Sequence, residues 1–595
     1  MKILLLHPED AFARWCLTQH WDLVIDLGCA PAGTYERWSR QTGCPVISIY
    51  DYAEEIEDLY CLRKLLQLGN GRVVDQLGID WWDVFSLELA SKVQRAILIH
   101  RLSKDLSVNC DLCSSRPDPV ATALQRLLDA RLICMGDGLQ SMHRRVRRYY
   151  EAFSRLGKAE LLQLFEDKLD VDHSIRCRFA SARVDKGQPV VLLPSAYVNV
   201  SRMSLSYAAL LPEQQFMLVV ARRSGYPATV PRNVHVASLT PYFGATDKHE
   251  LESLLESWDN LTAWLSSSAP EFKIAESEGF LGSANAPFHW GISLRDAWLR
   301  FYVSERVTAC LSADDSNPNT RIPLILAGKL GIPALACHHG ALDFRMAIKV
   351  NHADVYLAKS EMELDYLRCI CHLAPEKIVM APPASLTPLP WQRGDRPSAS
   401  WLVFFTEPYQ SYGWRSDEVY RDLLPHLCSL AQTSGLRLVF KLHPFESVEG
   451  HRRMLHRLIP EEERQIEVLA GPPSTRLWNN TRLALTVQSS TALECAALSI
   501  PIFLCGWLRD SYSGYVQQYA RFGAAHVLES SQQIAEIPRL LESWSGNSFQ
   551  QQSAGSAVDP DDFVHLLAGT TLCQLQATRE SFPRLCEGEH RTQKI

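Results

Sequence analysis

The sequence predicts an α/β protein assembled from several Rossmann-type parallel-sheet units. Short runs of Val, Ile and Leu recur from end to end, and each is followed by a helical pattern, which is the mark of parallel strands covered by helices. Length points the same way: 595 residues exceed what one hydrophobic core serves, and a domain size of about 150 residues suggests three or four domains.

Three units follow from the strand pattern. The first, residues 1–185, has candidate strands at Ile3–Leu6, Leu23–Leu27, Val46–Tyr50, Ala96–His100 and Leu132–Met135, and closes with a polar helical stretch near 138–170. The second, 186–385, has them at Val190–Leu193, Met217–Val220, Ala309–Ser312, Ala334–Cys337 and Val355–Ala358. A Pro- and Ser-rich linker occupies 386–400. The third unit, 401–570, runs through Trp401–Phe405, Leu438–Leu442, Ile466–Leu469, Leu483–Val487 and Ile502–Leu504, and 571–595 reads as a tail or a returning helix. No internal repeat is visible.

Composition narrows the function classes. Hydrophobic residues at 46% and charged residues at 21% exclude wholesale disorder, and a net charge of −7 offers no concentrated cationic face for nucleic acid. One basic run, His143–Arg148, fits a solvated helix face, with an anionic membrane surface or acidic substrate as the alternative. The 17 cysteines are an odd number, and many lie in apolar stretches, as Cys310, Cys337 and Cys495 do; that fits free thiols in a reducing compartment. Cys110-x-x-Cys113 and Cys369-x-Cys371-His372 lack the partner pairs of a zinc site and read as structural thiols. The opening MKILLLHPED matches neither a signal peptide nor an anchor, and no run of 18 apolar residues occurs, so a cytoplasmic chain is expected, with peripheral contact at the inner face of a membrane as a further option.

In a doubly wound sheet the ligand lies beyond the carboxyl ends of the strands. Four segments of the third unit sit there: Thr406-Glu407-Pro408, Lys441-Leu442-His443-Pro444-Phe445-Glu446, Gln488-Ser489-Ser490-Thr491 leading to Glu494, and Cys505-Gly506-Trp507. Backbone N–H groups at a helix start, with hydroxyls before them, suit an anion. The same residues also fit plain N-capping and a turn with a hydrogen-bonded histidine.

Lys441-Leu442-His443-Pro444 and Ser489-Ser490-Thr491-Ala492-Leu493-Glu494 resemble the His-Pro and Ser/Thr motifs of bacterial sialyltransferases and polysialyltransferases, and of the related capsule Kdo transferases and glycerophosphate polymerases. The resemblance implies a GT-B-like fold, in which two Rossmann-type domains face across a cleft, here with an additional N-terminal unit. It implies a glycosyltransferase that takes a CMP- or UDP-linked sugar as co-substrate and a surface glycan or lipid-linked saccharide as acceptor. His443 would contact the nucleotide phosphate or leaving oxygen, Ser489 to Thr491 would hold phosphate, and Glu494 would suit a ribose hydroxyl. The motifs cover roughly residues 310–525; the first unit matches only in its strand-helix rhythm.

The second unit carries Ser312-Ala313-Asp314-Asp315-Ser316-Asn317-Pro318 and then His338-His339-Gly340-Ala341-Leu342-Asp343, each after a strand. Inverting transfer needs a carboxylate or imidazole within reach of the acceptor hydroxyl, and Asp314, Asp315 and His339 are the candidates. Helix capping by the aspartates is the simpler account of the first cluster. With no isolated Asp-x-Asp after a strand, a metal-independent reaction is expected. Trp507 and Tyr512 are candidate walls of the site.

A rival reading lies in the first unit. Val24-Ile25-Asp26-Leu27-Gly28-Cys29-Ala30-Pro31-Ala32-Gly33 resembles the glycine loop of S-adenosylmethionine-dependent methyltransferases, with Asp51 where a ribose-binding acid would stand. Tight strand-to-helix turns need glycine in any case. A hydrolysing epimerase of the same fold and a non-catalytic glycan- or nucleotide-binding protein are further readings.

Overall fold

The computed structural model describes residues 1–7, 19–106, 109–114, 119–134, 188–222, 225–227, 229–277, 285–342, 344–383, 399–409, 413–508, 515–542 and 558–569. The expected helical stretch near 138–170, the basic run His143–Arg148, the tail 571–595, Tyr512, Asp343 and most of the linker lie outside the described residues.

Three all-parallel sheets carry the chain. The first comprises β1 (Lys2–Leu6), β2 (Leu23–Asp26), β3 (Val46–Ser48), β4 (Asp111–Ser114) and β5 (Arg131–Cys134), in the order β3-β2-β1-β4-β5. The second comprises β6 (Val190–Ser195), β7 (Phe216–Val220), β8 (Val234–Ser238), β9 (Val307–Ser312), β10 (Ala334–Ala336), β11 (Val355–Ala358) and β12 (Ile378–Met380), in the order β12-β11-β10-β9-β6-β7-β8. The third comprises β13 (Trp401–Phe405), β14 (Arg437–Lys441), β15 (Glu467–Leu469), β16 (Thr481–Thr486), β17 (Ile502–Cys505) and β18 (His526–Leu528), in the order β15-β14-β13-β16-β17-β18. Each sheet starts at a central strand, builds outward, then crosses to that strand's other side. The crevices therefore lie at β1/β4, β6/β9 and β13/β16.

Strands buried on both faces read as continuous apolar runs, which is why most of the predicted strands stand within a residue or two of their places. Ala96–His100 is a correction: it lies inside the helix Trp81–Asp105, started by Asp80, whose carboxylate accepts from the N–H of Trp82. This helix is buried around most of its circumference, from Trp81, Trp82 and Phe85 to Leu98, Ile99 and Leu102, so its apolar run mimics a strand. Strands β4, β8, β12 and β18 had no such signal, being short or polar at alternate positions.

The helix Pro560–Leu567 belongs to the second unit and not to the third. Its Phe563, Leu566 and Leu567 join the core around β6, β7 and β9, and the Phe563 ring lies 5.9 Å from that of Tyr207. The second and third units meet through residues beyond the carboxyl ends of their strands. Contact between them runs from the helix Val198–Ala208 and the turn before it, after β6, to the loop after β14 and the helix Thr491–Ala497 after β16. No helix among the described residues is long and apolar enough to cross a membrane.

Candidate functional site

The C-terminal ends of β14, β13 and β16 lie side by side, and the loops beyond them are tied together. Thr406 and Glu407, both buried, follow the central strand and reach to opposite sides. Thr406 donates its hydroxyl proton to Glu446, and its oxygen accepts the N–H of His443 at 3.1 Å, so it fixes the His-Pro turn. Glu407 accepts the N–H of Gln488 at 2.8 Å and the hydroxyl of Thr486 at 3.3 Å, so it fixes the loop that opens into Ser489. Burial raises the Glu407 carboxyl to about 7, against the lowering effect of these hydrogen bonds.

His443 is only partly buried, and its Nδ1 accepts the N–H of Phe445 at 3.2 Å. A neutral imidazole held this way carries its proton on Nε2, which makes that nitrogen a donor. Burial pulls its pKa down to about 4, helped by the neighbouring charges of His339 and Lys441, so the ring is neutral at pH 7. Lys441 is buried at the end of β14, donates to the Leu442 carbonyl at 3.0 Å, and is lowered to about 8, first by burial and then by Arg202. Pro444 and Phe445 are exposed, and the Phe445 ring meets Tyr197 of the second unit at 6.2 Å.

Ser489, Ser490 and Thr491 are half-buried at the start of the helix Thr491–Ala497. The Ser490 side chain makes no capping bond; Ser489 does the local work, accepting from the Thr491 hydroxyl at 3.0 Å and from its N–H at 3.4 Å. A helix of seven residues has little macrodipole, so donor capacity here comes from the turn's own N–H and O–H groups. One intervening strand separates this turn from His443, a spacing of about 10 Å. Glu494 is committed to Arg202 of the second unit at 2.8 Å, a bond that spans the cleft and competes with the expected ribose contact.

On the facing side, Asp314 is buried, and its two oxygens accept from Ser316 N–H and Asn317 Nδ2, each at 2.8 Å. Burial would raise its carboxyl, but His339 and these bonds outweigh it and hold the group below the usual range. His339 Nδ1 stands 3.9 Å from Asp314 Oδ2 and is the more exposed of the pair. Asp315 turns inward to Lys349 and, at 3.8 Å, to Arg321, whose guanidinium also holds Asp83 at 2.6 Å. The structure thus brings Asp314 and His339 together and takes Asp315 away into a buried ion network. The His338-His339-Gly340 turn is clamped from below: buried Lys359 donates to the carbonyls of His338 and Gly340 and pairs with Glu363 at 2.8 Å. Sequence reading missed this lysine. Its place straight after a strand and four residues before Glu363 was visible, but not its task.

Asp314, His338 and His339 have ligand-capable atoms within 4.8 Å of one another. Both Asp314 oxygens already accept hydrogen bonds, and burial first, then the charges of His339, Lys359, Lys349 and Arg345, holds the His338 ring well below the usual imidazole range.

The remaining expectations are corrected by packing. Trp507 donates to Asp422 at 3.0 Å and packs against the third unit's core. The glycine loop after β2 holds no open cradle: its mouth is filled by Gly413-Trp414-Arg415, with Cys29 N–H donating to Gly413 O at 3.0 Å and Arg415 N–H to Cys29 O at 2.8 Å. Asp51 accepts the N–H of Ser48 at 2.8 Å within its own turn. The reading as an S-adenosylmethionine site fails on these contacts. Cys110 and Cys113 are buried free thiols beside β4 and on it.

No protein-family model and no curated protein matches the sequence. Among solved structures, the chain is similar to the UDP-GlcNAc 2-epimerase of Methanocaldococcus jannaschii in complex with UDP-GlcNAc and UDP, at 13% identity over 64% of this chain and 100% of that one, with a TM-score of 0.40. It is also similar to the wall teichoic acid polymerase TagF, at 10% identity over 75% and 99% of the two chains with a TM-score of 0.37, and to the calicheamicin glycosyltransferase, at 12% over 67% and 98% with a TM-score of 0.33.

Proposed function

We propose that this chain is a glycosyltransferase that moves a sugar from a CMP- or UDP-type donor to the hydroxyl of a glycan or lipid-linked saccharide, with inversion and without a metal. The observation that carries the reading is the contact of the second and third units beside the His443 turn. Arg202 of the second unit bonds Glu494 of the third at 2.8 Å, and the Tyr197 ring of the second unit meets Phe445, whose ring lies 5.0 Å from that of His443.

The chemistry follows from the donors available. Diphosphate or phosphate oxygens of the nucleotide would lie along the Ser489–Thr491 turn, with Lys441 and the Nε2–H of His443 meeting the charge that grows on the departing oxygen. The acceptor oxygen bonds to the anomeric carbon as the bond from that carbon to the phosphate oxygen breaks. The acceptor's proton goes to His339, and the Asp314 carboxylate behind it stabilises the resulting imidazolium. Asp315, engaged with Lys349 and Arg321, keeps the loop in place and takes no proton.

Isothermal titration of the full chain with CMP, UDP, CDP and S-adenosylmethionine tests this. Binding of one nucleotide by the wild type, lost in His443→Ala, is the expected result. Equal binding by both proteins removes the donor-site assignment. Release of free sugar from a nucleotide sugar, with no transfer to any added saccharide, would mark a hydrolysing epimerase instead.

A further inference from the structure

We propose that the buried pair Asp26–Arg415 is a positioning device for the nucleotide site: the first unit's glycine loop receives the segment that follows the β13 loop and thereby sets where Thr406 and Glu407 stand. The inference rests on the donor-site reading above and goes beyond it, because it assigns a task to a unit that contributes no group to the reaction.

Arg415 sits in a made socket. Its Nε and Nη2 reach the two Asp26 oxygens at 2.8 and 2.7 Å, Nη2 also donates to the His7 carbonyl at 2.6 Å, and the guanidinium lies 5.2 Å from the centre of the Trp38 ring. Asp26 is wholly buried and is itself oriented by the Gly28 N–H at 2.9 Å and the Tyr35 hydroxyl at 3.1 Å. Alongside, the backbones of Cys29 and Trp414 form a parallel bridge. The turn favours glycine at 413: its φ is +79°, and a Cβ there would stand 2.9 Å from the Tyr50 hydroxyl.

From this socket a short series of bonds runs to the site. Trp414 N–H donates to the Tyr409 carbonyl at 3.0 Å, and Tyr409 N–H donates to the Glu407 carbonyl at 2.8 Å. The Glu407 carboxylate then holds Gln488 N–H, next to Ser489. A buried ion pair adds little net stability over apolar packing, and its attested use is to fix one register. Adhesion between the units has its own contact, the partly exposed Arg37–Glu418 pair.

The test compares Asp26→Asn and Arg415→Lys, which keep most of the packing, with Glu418→Gln, which loosens the outer pair and leaves the series intact. Amide exchange is followed at 406–409 and 488–491 in the full chain, alongside titration with the nucleotide that the wild type binds. Both socket variants should speed exchange at those amides and weaken the nucleotide about tenfold, 1.4 kcal/mol, while Glu418→Gln does neither. Wild-type exchange at 406–409 and 488–491 in both socket variants overturns the proposal, as does an equal effect of Glu418→Gln. Exchange reports on the series even if no nucleotide binds, so a failure of the donor-site reading is seen separately.

Discussion

The mouths of the first and third sheets make an instructive pair. Both are parallel sheets whose strand order reverses at the first strand, β1 in one and β13 in the other, and both put a polar turn after a buried strand. In the third, Ser489, Ser490, Thr491 and His443 remain partly exposed. In the first, Asp26 is completely buried, and its hydrogen-bonding capacity is used by Arg415, Tyr35 and Gly28. Strand topology creates the crevice, and what later sequence brings to it decides whether it is a site or a joint.

The comparison breaks most visibly at the joint. Arg415→Ala strands a buried carboxylate and should cost about 3–5 kcal/mol, read as a lowered thermal midpoint. A midpoint within a degree of wild type would mean the joint is not held by this pair. His443→Ala acts on the open mouth instead. It should lower turnover by roughly 10²–10³-fold, the usual cost of one donor to a developing charge, with the fold unchanged by circular dichroism.

Within the open mouth acidity acts with both signs. The Glu407 carboxyl, raised to about 7, favours the folded state most below its unfolded value near 4.5, and that contribution is lost as pH rises through 7. At about 1.4 kcal/mol per unit, roughly 3 kcal/mol should separate pH 4.5 from pH 8. Denaturant melts of Glu407→Gln should show that part of the pH dependence flattened. His443 has the opposite sign: held at about 4, it stabilises the fold above 6.5, and that contribution fades as pH falls toward 4.

Smaller effects sharpen the contrast. Gly413→Ala puts a Cβ against Tyr50 at a positive φ and should cost about 1–3 kcal/mol, again in the thermal midpoint. Arg202→Ala removes a partly exposed pair across the cleft, worth at most about 1 kcal/mol. Its signature should therefore be a changed nucleotide affinity with little change in melting.

Legibility of the site followed exposure of the signal. Thr406, Glu407, His443 and Ser489–Thr491 were identifiable because each directly follows a strand whose apolar run is unmistakable. Lys359 was not, because its role depends on the carbonyls of His338 and Gly340, twenty residues away in sequence. Asp314 and Asp315 are neighbours in the chain with the same chemistry, yet one meets His339 and the other Lys349. Only the path of the loop distinguishes them.

By itself the sequence determined the alternation of strand and helix, the number of sheets and the polar residues at their carboxyl ends, because these depend on local periodicity and on residues adjacent in the chain. Tertiary structure alone decided that Ala96–His100 is helical, that Pro560–Leu567 returns to the second unit, and that the glycine loop at Gly28 receives Arg415. Each of those outcomes rests on contact between segments far apart in sequence, where burial and charge pairing outweigh local pattern.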